Sequence, residues 1–144
     1  MLAFQARTTN PTAVSDGADV RPKADDLGRL LMRPVQVRDL IQTAYVAVST
    51  GTETTLLAGV ASTFLDLIWI VGANNSDAAV SVAIRSGTAG SVLLTLQLPA
   101  NGTAGAVFGP DHLQQEILAG AWTVDLPDIT GTTVSISAKF SKEI

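Results

Sequence analysis

A chain with one histidine and no cysteine has few ways to do chemistry. The absence of cysteine removes disulfides, thiolate metal sites and thiol catalysis, and a single histidine removes any metal centre built from several. A Ser-His-Asp triad would have to use His112, which follows Pro110 and Asp111 in a stretch that reads as a loop. The expectation is a solvent-exposed loop histidine. The carboxylates Asp66, Asp77, Asp111, Glu116, Asp125 and Asp128 are scattered, and no two share a strand face as a glycosidase pair would. Asp66 interrupts an apolar run, so it is expected to face solvent or to accept a hydrogen bond from a neighbouring backbone. No spacing matches a calcium loop. Gly87-Thr88-Ala89-Gly90 has neither the lysine nor the following helix of a phosphate cradle. Asn74-Asn75-Ser76 and Asn101-Gly102-Thr103 fit the glycosylation pattern but read as turns. Trp69 and Trp122 lie among apolar strand residues, which predicts core packing rather than a sugar platform. The sequence thus predicts no enzyme, no cofactor and no metal.

The elements that would hold these residues are strands. Val80, Val82 and Ile84 alternate with Ser81, Ala83 and Arg85, and Val92, Leu94, Leu96 and Leu98 alternate with Leu93, Thr95 and Gln97. Period two means strands with one buried face. The six-residue loop Ser86–Ser91 is short enough to join them as antiparallel neighbours. Further strands are expected at Ala44–Ser49, Thr54–Leu57, Leu65–Val71, Gly105–Phe108, Trp122–Leu126 and Val134–Phe140. Leu65–Val71 is apolar on both faces, which predicts a central place in its sheet. Pro110–Gly120 fits either a short helix, with Leu113, Ile117 and Leu118 at helical spacing, or an irregular crossing loop. The fold class that follows is all-β: an antiparallel β-sandwich, jelly-roll-like, of about eight strands.

The 144 residues carry 47% apolar and 15% charged side chains, which is one domain with a real core and too apolar for disorder. Aromatics are 5%, so the core must be Val, Leu, Ile and Ala. No run reaches the roughly 18 apolar residues of a membrane helix, and the first residues lack the apolar region of a cleaved signal. The net charge of −4 argues against general nucleic-acid binding. Charge is unevenly placed. Residues 1–43 hold six cations against five acids, and residues 44–144 hold three against eight. The expected division is an extended N-terminal arm with short strand-like pieces over 1–43, then a sandwich domain over 44–144. An ordinary mixed-charge linker is the alternative for the first segment, and a short helix over Asp25–Met32 is compatible with its pattern.

The segments IVGANNSDAAVSVAIRSGTAGSVLLTLQLPANGTAGAVFG and LAGAWTVDLPDITGTTVSISAKF, with the leader NPTAVSDGADVRPKADDLGRLLMRP, resemble the virion structural proteins of tailed bacteriophages. The chain is similar to capsid decoration or cement proteins, also called auxiliary head proteins. The resemblance implies a sandwich standing on the outer surface of the head, held by its arm to the major capsid protein. It implies a homo-oligomer, a trimer by analogy, made in the host cytoplasm and located in the virion, with neither nucleic acid nor membrane as partner. No catalytic residues come with it. The candidate capsid contacts are Arg21, Lys23, Asp25, Asp26, Arg29, Arg33 and Arg38. A head-fibre or tail-associated module that binds a receptor or glycan is the alternative, with Asn74–Asp77 and Asn101–Thr103 as the loops involved.

Overall fold

A computed structural model describes residues 40–109, 111–129 and 131–143. The chain divides into two units, Met1–Gln36 and Val37–Ile144, and all the described residues belong to the second. They form eight strands: β1 (Ile41–Val48), β2 (Thr54–Leu57), β3 (Phe64–Asn74), β4 (Val80–Ser86), β5 (Ser91–Leu98), β6 (Thr103–Val107), β7 (Trp122–Asp125) and β8 (Val134–Glu143). Two four-stranded antiparallel sheets result, in the orders β1-β8-β3-β6 and β2-β7-β4-β5. The all-β sandwich read from the sequence is therefore the observed fold.

The pairs β1–β8, β2–β7, β3–β6 and β4–β5 nest inside one another. The chain runs as one long double ribbon whose tip is the β4–β5 hairpin, and the ribbon crosses between sheets at three corners. At each corner two crossing segments lie side by side and bond to each other. Ile129 N–H donates to the Ser49 carbonyl where β1 leads to β2 and β7 to β8. Ala119 N–H donates to Thr63 O where β2 leads to β3. Asn101 N–H donates to Ser76 O where β3 leads to β4 and β5 to β6. Each of these bonds satisfies a backbone donor and acceptor where the chain leaves a sheet.

The core between the sheets is Leu65, Leu67, Ile70, Val82, Ile84, Val124, Val134 and Ile136, each at most 1% exposed. Each such side chain contributes roughly 1.5–3 kcal/mol by leaving water. Trp122 and Phe140 are the large members, with ring centroids 5.6 Å apart. β3 lies inside its sheet, between β8 and β6, as its apolar character predicts. Its register shifts between Leu67 and Trp69. Inward positions are Leu65 and Leu67 before the shift, and Ile70, Gly72 and Asn74 after it. Such a bulge reverses which alternate residues face the core, and it turns Trp69 outward. Trp69 is half-buried and lies outside the core, so the expectation of core packing holds for Trp122 and fails for Trp69.

Residues 111–120 contain no helix. β6 stops at Val107, leaving the edge of β3 unpaired over its first residues. Leu113 exchanges both backbone bonds with Leu67, and the buried Gln115 accepts from Leu65 N–H through Oε1 at 2.8 Å. Backbone groups spent on a neighbouring strand are lost to a helix, so the crossing loop prevails despite the helical spacing of Leu113, Ile117 and Leu118.

The β4–β5 turn places Gly87 (φ 81°) and Ala89 (φ 54°) in the left-handed region. For alanine that region costs about 1–2 kcal/mol. Ala89 is exposed, and its amide, which the Glu53 carboxylate accepts from, is kept by any residue but proline. Ala89→Gly is expected to raise stability by about 0.5–1 kcal/mol once the extra chain entropy of glycine is counted. Urea unfolding checks this, through a higher midpoint at unchanged slope.

Candidate interaction surfaces

The predicted contact residues Arg21, Lys23, Asp25, Asp26, Arg29, Arg33 and Arg38 lie outside the described residues. What the structure does place is every chemistry-bearing side chain of the sandwich, apart from what touches residues beyond those described.

His112 is not the exposed loop residue expected. It is half-buried, and its Nδ1 lies 2.8 Å from the Ser141 Oγ. A histidine beside a serine is half of a nucleophilic pair. Here, however, Ser141 is 1% exposed, so its oxygen is closed to a substrate, and the contact fastens the 111–115 segment onto β8. Asp66 takes one of its two expected roles, accepting from Gln115 N–H at 2.9 Å. The other acids with partners are dispersed in the same way. Asp125 pairs with Arg85 at 3.1 Å, Asp77 accepts from Asn101 Nδ2, Asp128 accepts from Gly51 N–H, and Glu53 accepts from Ala89 N–H and Thr123 Oγ1–H. The Asp125 pair joins β4 to β7, and the others tie loops to one another or to β7. Among the described residues no three of His, Cys, Asp and Glu converge as a metal site would require, and no helix is long and apolar enough to cross a membrane.

The loops of the alternative reading, Asn74–Asp77 and Asn101–Thr103, are brought together, with Asn101 N–H donating to Ser76 O and Asn74 N–H to Gly102 O. Asn75, Ser76, Asp77 and Ala78 face Asp128, Ile129 and Thr132 across an open groove at one end of the sandwich. Asn74 does not share in it. It is 1% exposed, with Nδ2 donating to Ala78 O and Pro99 O and Oδ1 accepting from Ser76 N–H. The glycosylation pattern there thus begins on a buried, fully used amide.

The two outer sheet faces differ in kind. On the β2-β7-β4-β5 sheet the outward positions include Thr55, Thr123, Ser81 and Gln97 and the Arg85–Asp125 ion pair, with Val92 as the exposed apolar residue. The outer face of β1-β8-β3-β6 is built from three cross-strand rows. The first runs Thr43, Lys139, Trp69, Val107. The second runs Tyr45, Ser137, Val71, Gly105, and the third Ala47, Ser135, Ala73, Thr103. Beyond the first row, the 111–115 segment covers this face through the His112–Ser141 and Gln115–Asp66 contacts. On the three open rows Tyr45 is 66%, Val107 82% and Val71 40% exposed, and Lys139 is the one charged residue. The sequence signal for this face was the second apolar side of β3, which reads as burial and is partly an open surface instead.

No family model and no curated protein matches the chain. Among solved structures it is similar to a chain from Bacillus endospore appendages, described as disulfide-linked pili, at 12% identity and a TM-score of 0.44, covering 92% of this chain and 98% of that one. It is also similar to a chain from the virus-like particle of the extra small virus of the giant freshwater prawn Macrobrachium rosenbergii, at 11% identity and a TM-score of 0.37, covering 94% of this chain and 96% of that one.

Proposed function

We propose that this chain is a capsid decoration protein of a tailed bacteriophage. In this reading the N-terminal segment ahead of β1 binds the major capsid protein on the outside of the head and stabilises the shell. The observation that carries the reading is the division of the chain. Half of the charged residues, six cations and five acids, fall in the first 43 positions, ahead of a sandwich that closes its own core. Eleven of these 43 positions are charged against eleven of the other 101, a density suited to pairing with a charged surface outside the chain. Arg21, Lys23, Asp25, Asp26, Arg29, Arg33 and Arg38 would pair with the mixed charges of a capsid. Many copies on a repeating shell turn weak contacts into firm attachment. The nested strand order, read as a jelly roll, supplies a compact body with its backbone groups satisfied. The dispersal of the acids and the burial of Ser141 favour a structural over an enzymatic role.

The test is binding to undecorated heads. The chain lacking residues 1–38 should lose cosedimentation with them while keeping the unfolding transition of the whole protein. Arg29→Glu with Arg33→Glu in the full chain should weaken binding, the more so at low salt, where charge pairs are least screened. Undiminished binding by the shortened chain would remove the arm from the mechanism.

The groove lined by Asn75, Asp77, Asp128 and Thr132 favours a second reading, a receptor- or glycan-binding module of a head fibre or tail. Glycan-array hits lost on replacing Asp77 and Asp128 would support it, and a clean array would reject it.

A further inference from the structure

We infer that Asn101–Gly102 is a self-modifying site, which converts to aspartate or isoaspartate without an enzyme, and that Asp77 holds the reaction back while the chain is folded. The inference rests on neither reading of the function. Of the four asparagines in the chain, Asn101 is the one followed by glycine. Glycine has no side chain to block approach to its nitrogen, so Gly102 N can attack the side-chain carbonyl carbon of Asn101. The bond from Gly102 N to Asn101 Cγ forms and the Cγ–Nδ2 bond breaks. Nδ2 takes the proton of the Gly102 N–H and leaves as ammonia. Water then opens the cyclic imide. Opening at Cγ gives aspartate. Opening at the backbone carbonyl carbon gives isoaspartate, whose chain runs on through the side-chain carbons. Asn10 precedes proline, which has no N–H to give up. Asn74 is buried with its amide fully used, and Asn75 precedes a serine.

The corner requires both residues of the pair. Asn101 stands at φ 49°, in a region that asparagine tolerates better than most residues with side chains. A Cβ on Gly102 would lie 2.6 Å from Pro99 Cγ, so a larger residue there would have to push the ring aside. The same corner restrains the reaction. The Gly102 N–H, whose proton must go, donates to Pro99 O at 3.2 Å. The leaving nitrogen, Asn101 Nδ2, donates to Asp77 Oδ1 at 3.0 Å, which ties the side chain to the β3–β4 connection. Asn101 N–H donates to Ser76 O at 2.9 Å and Gly102 O accepts from Asn74 N–H at 2.8 Å, so the reacting peptide is fixed at both ends. Attack requires the side chain to leave Asp77 and the turn to give up its bond. The products then undo the corner. Aspartate at 101 sets a second carboxylate against Asp77 where a donor stood. Isoaspartate lengthens the backbone between the bonds to Ser76 and Asn74.

Peptide mapping by mass spectrometry tests this, on the full chain kept in mildly alkaline buffer, folded or unfolded in urea. The unfolded chain should convert at Asn101 before any other asparagine. The folded chain should convert about tenfold or more slowly, since the corner must open before attack. Asp77→Ala should speed conversion of the folded chain about three- to tenfold, the range of one lost hydrogen bond, and should leave the rate in urea unchanged. Asp77→Asn keeps an oxygen to accept from Nδ2, so its rate should stay near that of the parent chain. Hydrogen exchange in β8 should be the same in all three chains, so that a faster rate reports the corner and not the whole fold. Conversion as fast in the folded chain as in urea, or first at Asn75, would overturn the site. An Asp77→Ala chain that converts at the parent's rate, or an Asp77→Asn chain as fast as Asp77→Ala, would overturn the role of Asp77.

Discussion

Trp122→Ala is expected to cost about 3–5 kcal/mol, the range for removing a large aromatic from a core. Trp122 is fully buried on β7, packs its ring against Phe140 of the other sheet, and donates its Nε1–H to the Leu65 carbonyl on β3. It therefore joins the two sheets by packing and by a hydrogen bond together. Domains of this size hold about 5–15 kcal/mol in total, so the loss should lower Tm by about 15 °C or more. Trp122→Phe separates the two parts. It keeps most of the buried area and leaves the Leu65 carbonyl without its indole donor, at a cost of about 1–3 kcal/mol. Thermal and urea unfolding of both variants check this. A Trp122→Ala cost under about 1 kcal/mol would mean that the sheets are held together elsewhere.

Asn74→Ala should cost about 2–4 kcal/mol although it removes only a few atoms. Asn74 stands where β3 leaves one sheet for β4, beside the segment by which β5 returns to β6. Its amide clasps both crossings, donating to Ala78 O at 2.8 Å and Pro99 O at 3.0 Å and accepting from Ser76 N–H at 2.9 Å. Ala78 O keeps the Ser76 hydroxyl, and Pro99 O keeps the Gly102 amide, so Ser76 N–H is the group left orphaned. Hydrogen exchange should therefore speed up at Ser76 before it does in β8. Asn74→Asp retains the acceptor but sets a carboxylate against two carbonyl oxygens. That environment raises the new group's pKa, so its penalty should shrink as pH falls and the carboxyl takes a proton.

Period two made the strands legible wherever one face is buried and the other polar. β4, β5 and β8 begin and end within a few residues of the expected limits. β1 starts at Ile41, ahead of the expected Ala44, because Gln42 and Thr43 disguise a segment that pairs with Phe140 and Lys139. The placement of Trp69 was hidden by the register shift after Leu67: a run apolar on both sides carries no mark of where its parity reverses. His112 and Gln115 look like loop polar residues, and only the early end of β6 gives Gln115 a strand edge to satisfy. Asn74 reads as a turn residue and is the buried clasp of a corner. For Trp69, His112 and Gln115 the deciding partner is far away in sequence, which local pattern does not register, and for Asn74 it is Pro99 that turns a local turn into a clasp. The same holds for the open face of β3, whose rows exist only once β1, β8 and β6 are set beside it.

The capsid-binding reading places this protein on the head, and its location in the particle is the most direct measure of that. Intact virions labelled with gold-conjugated antibody against the sandwich should carry label spread over the head surface, and the label should vanish from particles assembled with chains lacking residues 1–38. Label confined to the tail or fibres, with bare heads, would contradict it.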